Sequence, residues 1–317
     1  MLAGFDKWYC EKGLDPSIDP IYPDDKNVGG YNASDCGTIK APAVISISYT
    51  QTEADLPKKY AERQCLEFLK LGLQGTTVLT ASGDRGAAAN SGACIDPRSG
   101  ASNVTHGLFS PNFPASCPWI TTVGGTKFPP TDKRWSPGTG FPAEIAYRQI
   151  LSDNHTVSSS GGGFSNVFPA PFYQIGLVDD YMKKSHETSH LRNLSSSGYF
   201  NQHGRGYPDL SGLANDYLVY IYGDLHKVKG TSAPTPVIAA MVALINDARF
   251  KGGKGPVGFI NPALYAFRKE IMTDVVEGYN EGCGVSRAFP AAKGWDAVTG
   301  LGTPDFKKLH KLFLSFP

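Results

Sequence analysis

The strongest constraint on the fold of this chain lies between residues 43 and 86, where two β-branched runs enclose one amphipathic segment. Ala43-Val-Ile-Ser-Ile-Ser-Tyr49 and Thr76-Thr-Val-Leu-Thr-Ala-Ser82 read as strands. Residues 54–72 between them place Leu56, Tyr60, Cys65, Phe68 and Leu69 near one face of a helix. Strand, helix and strand in that order need a crossover, so the two strands lie parallel in a sheet covered by helices. Ligands gather beyond the carboxyl ends of the strands in such sheets, and the second strand runs into Gly83-Asp84-Arg85-Gly86. An aspartate between glycines is most simply a turn residue. Its position at a strand end also makes Asp84 a candidate site residue.

A second junction follows Leu218-Val-Tyr-Ile-Tyr222, a short apolar run expected to form a buried strand. After a turn, Gly230-Thr-Ser-Ala-Pro-Thr-Pro236 opens an Ala-rich apolar segment, Val237 to Arg249, that reads as a helix. Pro234 and Pro236 suit a first helical turn, where amides lack intrahelical partners. Ser232 is therefore expected at or near the N-cap, where the partial positive charge of the helix start favours a developing alkoxide or oxyanion. The commoner use of a serine there is plain capping.

Six segments in chain order bear on that choice: Ser82-Gly-Asp84, Phe113-Pro-Ala-Ser116, Thr121-Thr-Val-Gly-Gly-Thr126, Gly161-Gly-Gly-Phe-Ser165, Tyr207-Pro-Asp-Leu-Ser211 and Gly230-Thr-Ser-Ala-Pro234. Together they resemble the sedolisin family of serine-carboxyl peptidases, and most nearly its secreted fungal members of tripeptidyl-peptidase type. The resemblance covers nearly the whole chain. It implies an α/β, subtilisin-like fold with a mostly parallel sheet flanked by helices and a C-terminal calcium-binding loop, in one peptidase domain over residues 1–317. It carries the nucleophile's role to Ser232 and the oxyanion-hole role to Asp84. Ser158 to Gly163 reads from composition as a flexible loop; the resemblance instead places Gly161, Gly162 and Gly163 beside the substrate cleft, where bare backbone can pair with an extended peptide.

Ordinary subtilisins also carry Gly-Thr-Ser at the head of a helix, but their general base is a histidine upstream of the oxyanion residue. Here the first histidine is His106, beyond Asp84, and none of the seven precedes Gly-Thr; all seven read as surface or loop residues. The sedolisin pattern uses a glutamate as base and a second acid to orient it. An imidazole is protonated well below its ordinary pKa of about 6.5, whereas a carboxylate near 4 still accepts a proton. A peptidase of this kind should act in acid, where a protonated Asp84 can donate to the tetrahedral oxyanion and an ionised one would repel it.

The family's Glu-x-x-x-Asp pair is expected further upstream than this sequence extends. Glu11-Lys-Gly-Leu-Asp15 has the spacing, but Gly13 and Pro16 oppose the helix that would set both acids on one face. Met1 to Phe5 lacks the basic start and long apolar run of an export signal. The chain is thus expected to be incomplete at its N-terminus. A non-catalytic secreted calcium-binding relative is the alternative reading, since it would share every downstream motif and lack a base.

Near the C-terminus, Asp274-Val275 and the later Lys293-Gly-Trp-Asp-Ala-Val-Thr-Gly-Leu-Gly-Thr-Pro304 offer carboxylates and loop carbonyls, hard oxygen ligands of the kind calcium prefers. By themselves they would be turn aspartates. The resemblance extends to the family's calcium loop, about 272–304, and implies one Ca2+ held by the side chains of Asp274 and Asp296 and the carbonyls of Val275, Ala292 and Gly294. Ala292 stands where many relatives have glycine.

Composition fits this reading and excludes others. A net charge of +1 gives no electrostatic preference for nucleic acid or membrane. The expected partners are peptides or unfolded proteins and, by resemblance, a pro-segment; the expected state is a secreted, extracellular monomer. Asn32, Asn103, Asn154 and Asn193 head glycosylation triplets. Six cysteines allow disulfides without revealing their connectivity. Residues 127–206, rich in Ser, Gly and Pro, read as the least regular part, with a helical segment carrying Asp179 and Glu187 over the sheet.

Overall fold

A computed structural model describes residues 2–21, 24, 26, 35–129, 142–150, 157–183 and 189–317; Asn32, Asn154 and Glu187 lie outside these. The β-branched runs form strands β1 (Val44–Ile47), β2 (Thr77–Ala81) and β3 (Thr121–Lys127), joined by β4 (Leu210–Leu213). All four are parallel and lie side by side in that order, with Val44 opposite Thr77, Leu79 opposite Thr121 and Leu210 opposite Val123. A short antiparallel piece, Ile145–Ala146, pairs with the end of β3.

Alternation along β2 shows how the sheet is covered, because neighbouring side chains point to opposite faces. Val78 packs in a cluster with Ala61, Cys65, Phe68 and Leu71 of α1 (Lys58–Leu73), the crossover helix between β1 and β2. Leu79 packs in another cluster with Ile238, Val242 and Ile245 of α2 (Pro234–Lys251). Helix α2 runs across all four parallel strands. Each helix buries the stripe that its i, i+4, i+7 spacing predicts. The expected parallel sheet flanked by helices is therefore present.

The run at 218–222 corrects one expectation. Tyr217–Ile221 is a strand, but among the described residues it pairs only with Asp224–Val228, in an antiparallel hairpin off the main sheet. Leu218 is 64% and Tyr220 74% exposed. An apolar run predicts a strand without saying what covers it, and the partner strand Asp-Leu-His-Lys-Val is too polar to bring it into a core. The 127–206 region is also more regular than its composition suggests. Strands Gly163–Pro169 and Gly204–Tyr207 pair antiparallel, and the helices Ile175–Lys183, which holds Asp179, and Ser189–Ser196 pack into the core through Val178, Tyr181 and Leu191.

All six cysteines are paired, Cys10–Cys36, Cys65–Cys117 and Cys94–Cys283. Such pairing suits an oxidising compartment. No helix among the described residues is long and apolar enough to cross a membrane.

Candidate active site

The parallel sheet brings four strand ends together, and the segment before α2 crosses them. The Gly230 amide donates to the carbonyl of Ala214, just past β4, at 2.8 Å. Thr231 reaches the turn after β2: its Oγ1, with one proton to share, lies 3.1 Å from Gly83 O and 3.0 Å from Asp84 Oδ1, and its amide donates to Asp84 Oδ1 (2.7 Å). Past the end of β1, Ser48 Oγ donates to the carbonyl of Ser232 at 3.0 Å. Ser232 and Asp84, 148 residues apart in sequence, therefore stand on one surface at the carboxyl edge of the sheet. Ser232 is exposed and Asp84 half-buried.

Ser232 is not a helix cap. Helix α2 begins at Pro234, its N-cap is Ala233, and no side chain caps it. Ser232 lies one residue before the N-cap, near it as expected, and its hydroxyl does not cap the helix. Asp84 is held firmly on one oxygen only, since both Thr231 donors converge on Oδ1. Its Oδ2 lies over Gly230, whose φ of +111° is a conformation that disfavours a side chain. A Cβ there would come within 2.8 Å of Oδ2. No carboxylate or imidazole among the described residues is hydrogen-bonded to Ser232 Oγ. Glu11 ends in a loose pair with Lys7 (3.8 Å), on a turn that stops at Gly13, while Asp15 accepts from Ser17; the two do not share a helix face.

Gly161, Gly162 and Gly163 lie behind this surface, and here the sequence expectation needs correction. All three are buried. The Gly161 amide donates to Gly83 O (2.7 Å) and the Gly162 amide to Gly86 O (3.2 Å), so neither is left to pair with a peptide. A Cβ on Gly161 would strike the backbone of Ser82 and Gly83, and one on Gly162 the carbonyl of Ala297. Close packing is what these positions require of glycine, against the Asp84 turn at Gly161, the Ala297 carbonyl at Gly162 and the Phe289 ring at Gly163.

Three features escaped the sequence reading. Beside Asp84 opens a cavity of about 700 Å³ lined by Arg85, Ala88, Thr105, Arg148, Glu281 and Cys283. Within it Arg148 and Glu281 form an ion pair at 2.7 Å. Only Arg85, next to Asp84, carried a sequence signal; the others come from segments far apart in the chain. Glu53 is buried, accepting from Ser165 Oγ (2.6 Å) and the Asn166 amide (2.7 Å), and burial pushes its carboxyl above the usual range. Ser48 gave no signal at all.

Two of the expected calcium ligands, Asp274 and Asp296, are both hydrogen-bonded to the 292–296 loop. The Gly294 amide donates to Asp274 Oδ2 (2.8 Å) and the Ala292 amide to Asp296 Oδ2 (3.1 Å), so the two acids bracket the 292–296 loop. Asp274 is exposed; Asp296 is fully buried and its pKa is pushed up to about 7 by that burial, against hydrogen bonds from Thr299, Ala292 and Val298. No cationic side chain pairs with Asp296 among the described residues. A buried acid without a counter-charge, beside a second acid and loop carbonyls, fits a hard cation. No group of three or more His, Cys, Asp or Glu side chains is arranged for a metal among the described residues; this donor set has two.

Fold and site together define an α/β protein of subtilisin-like architecture with a serine and an aspartate at the carboxyl edge of its sheet. No family model matches the chain. It is 45% identical, over 99% of its length and 47% of the relative's, to Tripeptidyl-peptidase SED1 of Arthroderma otae. To Aorsin of Aspergillus oryzae it is 43% identical, over 98% of its length and 46% of the relative's. A solved Pseudomonas sedolisin, a serine-carboxyl proteinase, shares the fold with a TM-score of 0.63 at 24% identity, over 86% of this chain and 65% of that one. The chain is thus similar in sequence to these two fungal proteins over nearly all of its length, and in fold to the solved sedolisin. It spans about half the length of the named relatives it matches.

Proposed function

We propose that this chain carries the nucleophile and oxyanion residue of an acid-acting serine-carboxyl peptidase that hydrolyses peptide bonds through an acyl-enzyme. The observation that carries this reading is the convergence of Ser232 and Asp84 through Thr231, with the serine exposed and free of a capping role. Ser232 Oγ attacks the scissile carbonyl carbon and yields its proton to a carboxylate of the family's Glu-x-x-x-Asp kind. Thr231 holds Asp84 by Oδ1, which leaves a proton on Oδ2 to be donated to the oxyanion. Collapse of the tetrahedral species expels the amine and leaves an ester on Ser232, which water then cleaves.

The cavity at Arg85 and Arg148 is suited to a substrate side chain, next to the residue that would hold the oxyanion. Gly161 and Gly162 act from behind, bonded to Gly83 and Gly86 on either side of Asp84, while Gly163 packs against Phe289. Asp274 and Asp296, with the carbonyls of Val275, Ala292 and Gly294, would hold one Ca2+, whose charge offsets that of buried Asp296. The three disulfides and the exposed triplets at Asn103 and Asn193 support a secreted glycoprotein.

The test is hydrolysis of a denatured protein at acid pH by a longer form of the protein that includes a Glu-x-x-x-Asp pair, and by its Ser232→Ala variant. Activity should fall by about 10³-fold or more in the variant. Survival of activity refutes the nucleophile; no hydrolysis by that longer parent refutes the enzyme reading and favours a non-catalytic relative.

A further inference from the structure

The hairpin of Tyr217–Ile221 and Asp224–Val228 has an unusual surface for a water-facing element. Successive residues of a strand alternate between faces, and on one face Leu218 and Tyr220 stand together with Leu225, which lies directly opposite Tyr220. Their exposures are 64%, 74% and 54%. Neither strand pairs with anything but the other among the described residues, so each keeps an open edge of amides and carbonyls. Natural sheets usually blunt such an edge; here Asp224 and Lys227, the latter 3.5 Å from Asp216, bring charge to the return strand.

The hairpin is also continuous with the candidate site. Its base is pinned where the Gly230 amide meets Ala214, and its return strand ends at Val228, four residues before Ser232. That places Val228 within about 14 Å of the serine along even a fully extended chain, while the strands themselves reach about 17 Å outward. On the opposite side of the serine, beyond β1, Tyr49 is 72% exposed beside Ser48, which bonds the Ser232 carbonyl. An extended polypeptide lying over Ser232 thus meets apolar surface on both sides of the bond to be cut.

We propose that the Tyr217–Val228 hairpin is a docking arm for extended, apolar stretches of unfolded polypeptide, held by strand addition to an open edge and by contact with Leu218, Tyr220 and Leu225. This rests on the reading of Ser232 as the nucleophile. It makes unfolded protein, rather than short peptide, the substrate class that gains from the arm.

The test is binding without turnover. The Ser232→Ala chain is titrated into fluorescein-labelled, reduced and carboxymethylated lactalbumin and followed by anisotropy. Adding Leu218→Ser, Tyr220→Ser and Leu225→Ser should weaken binding roughly tenfold or more, the loss expected when aromatic and leucine anchors are truncated, with the unfolding midpoint unchanged. Tyr220→Phe should bind as the parent does, and excess tripeptide should not displace the probe. Equal binding by the triple variant, or displacement by tripeptide, overturns the proposal. If the triple variant misfolds, Tyr220→Ser alone gives the same readout at a single exposed position. Failure of the nucleophile assignment appears separately, as hydrolysis that survives Ser232→Ala.

Discussion

Replacing Gly230 with alanine probes the contact on which the site depends. The residue has φ +111°, and its new Cβ would sit 2.8 Å from Asp84 Oδ2 and 3.1 Å from both Cγ and Oδ1. Backbone strain alone should cost about 1–3 kcal/mol. Relief of the clash needs a turn of the Asp84 carboxylate away from both Thr231 donors, adding about 1–2 kcal/mol. The expected loss is thus roughly 2–5 kcal/mol, read as a lowered urea midpoint in tryptophan fluorescence. The two parts can be separated by a double-mutant cycle. In an Asp84→Ala background the carboxylate is gone, so Gly230→Ala should there cost only the backbone part. A neutral Gly230→Ala, or an equal cost in both backgrounds, would refute the packing of Asp84 over this glycine and with it the joining of the two motifs.

Removing calcium with a chelator should lower the melting temperature, by an amount equivalent to about 2.7 kcal/mol if the ion is present at a hundredfold over its dissociation constant. Asp296→Asn should abolish that response, and an unchanged transition in the parent would remove calcium from the account. Glu53 should make stability fall as pH rises. Burial holds its folded-state pKa above the unfolded value of 4.5, so both states are protonated in acid, and above that value the unfolded chain ionises first. The decline, at most about 1.4 kcal/mol per pH unit, should flatten in Glu53→Gln; an identical pH profile would show that Glu53 does not contribute it.

Elements set by local pattern were legible in the sequence, and contacts across long separations were not. β1, α1 and β2 could be read because β-branched runs and a helical stripe sit within forty-odd residues of each other. Asp84 and Ser232 each carried a weak local signal, a strand end and a helix start. Their meeting depends on Thr231, whose side chain bridges segments that no periodicity connects. Leu218 to Tyr222 was legible as a strand, while its exposure followed from the polar character of a partner on the far side of a turn. The glycines at 161–163 looked like flexible loop because composition records a missing side chain and cannot tell open space from close packing. Disulfide partners such as Cys94 and Cys283 are set by tertiary approach alone.

That last bond decides what happens when the chain is cut. Cys94 follows the Asp84 turn and Cys283 lies in the segment whose Glu281 carbonyl accepts from the Ala87 amide. A single cut anywhere between residues 95 and 282 would leave the two fragments covalently joined, with the Asp84 turn and the Asp274–Asp296 loop on pieces that cannot drift apart. The chain would tolerate nicking across more than half its length, and such damage would become visible on a gel only after reduction.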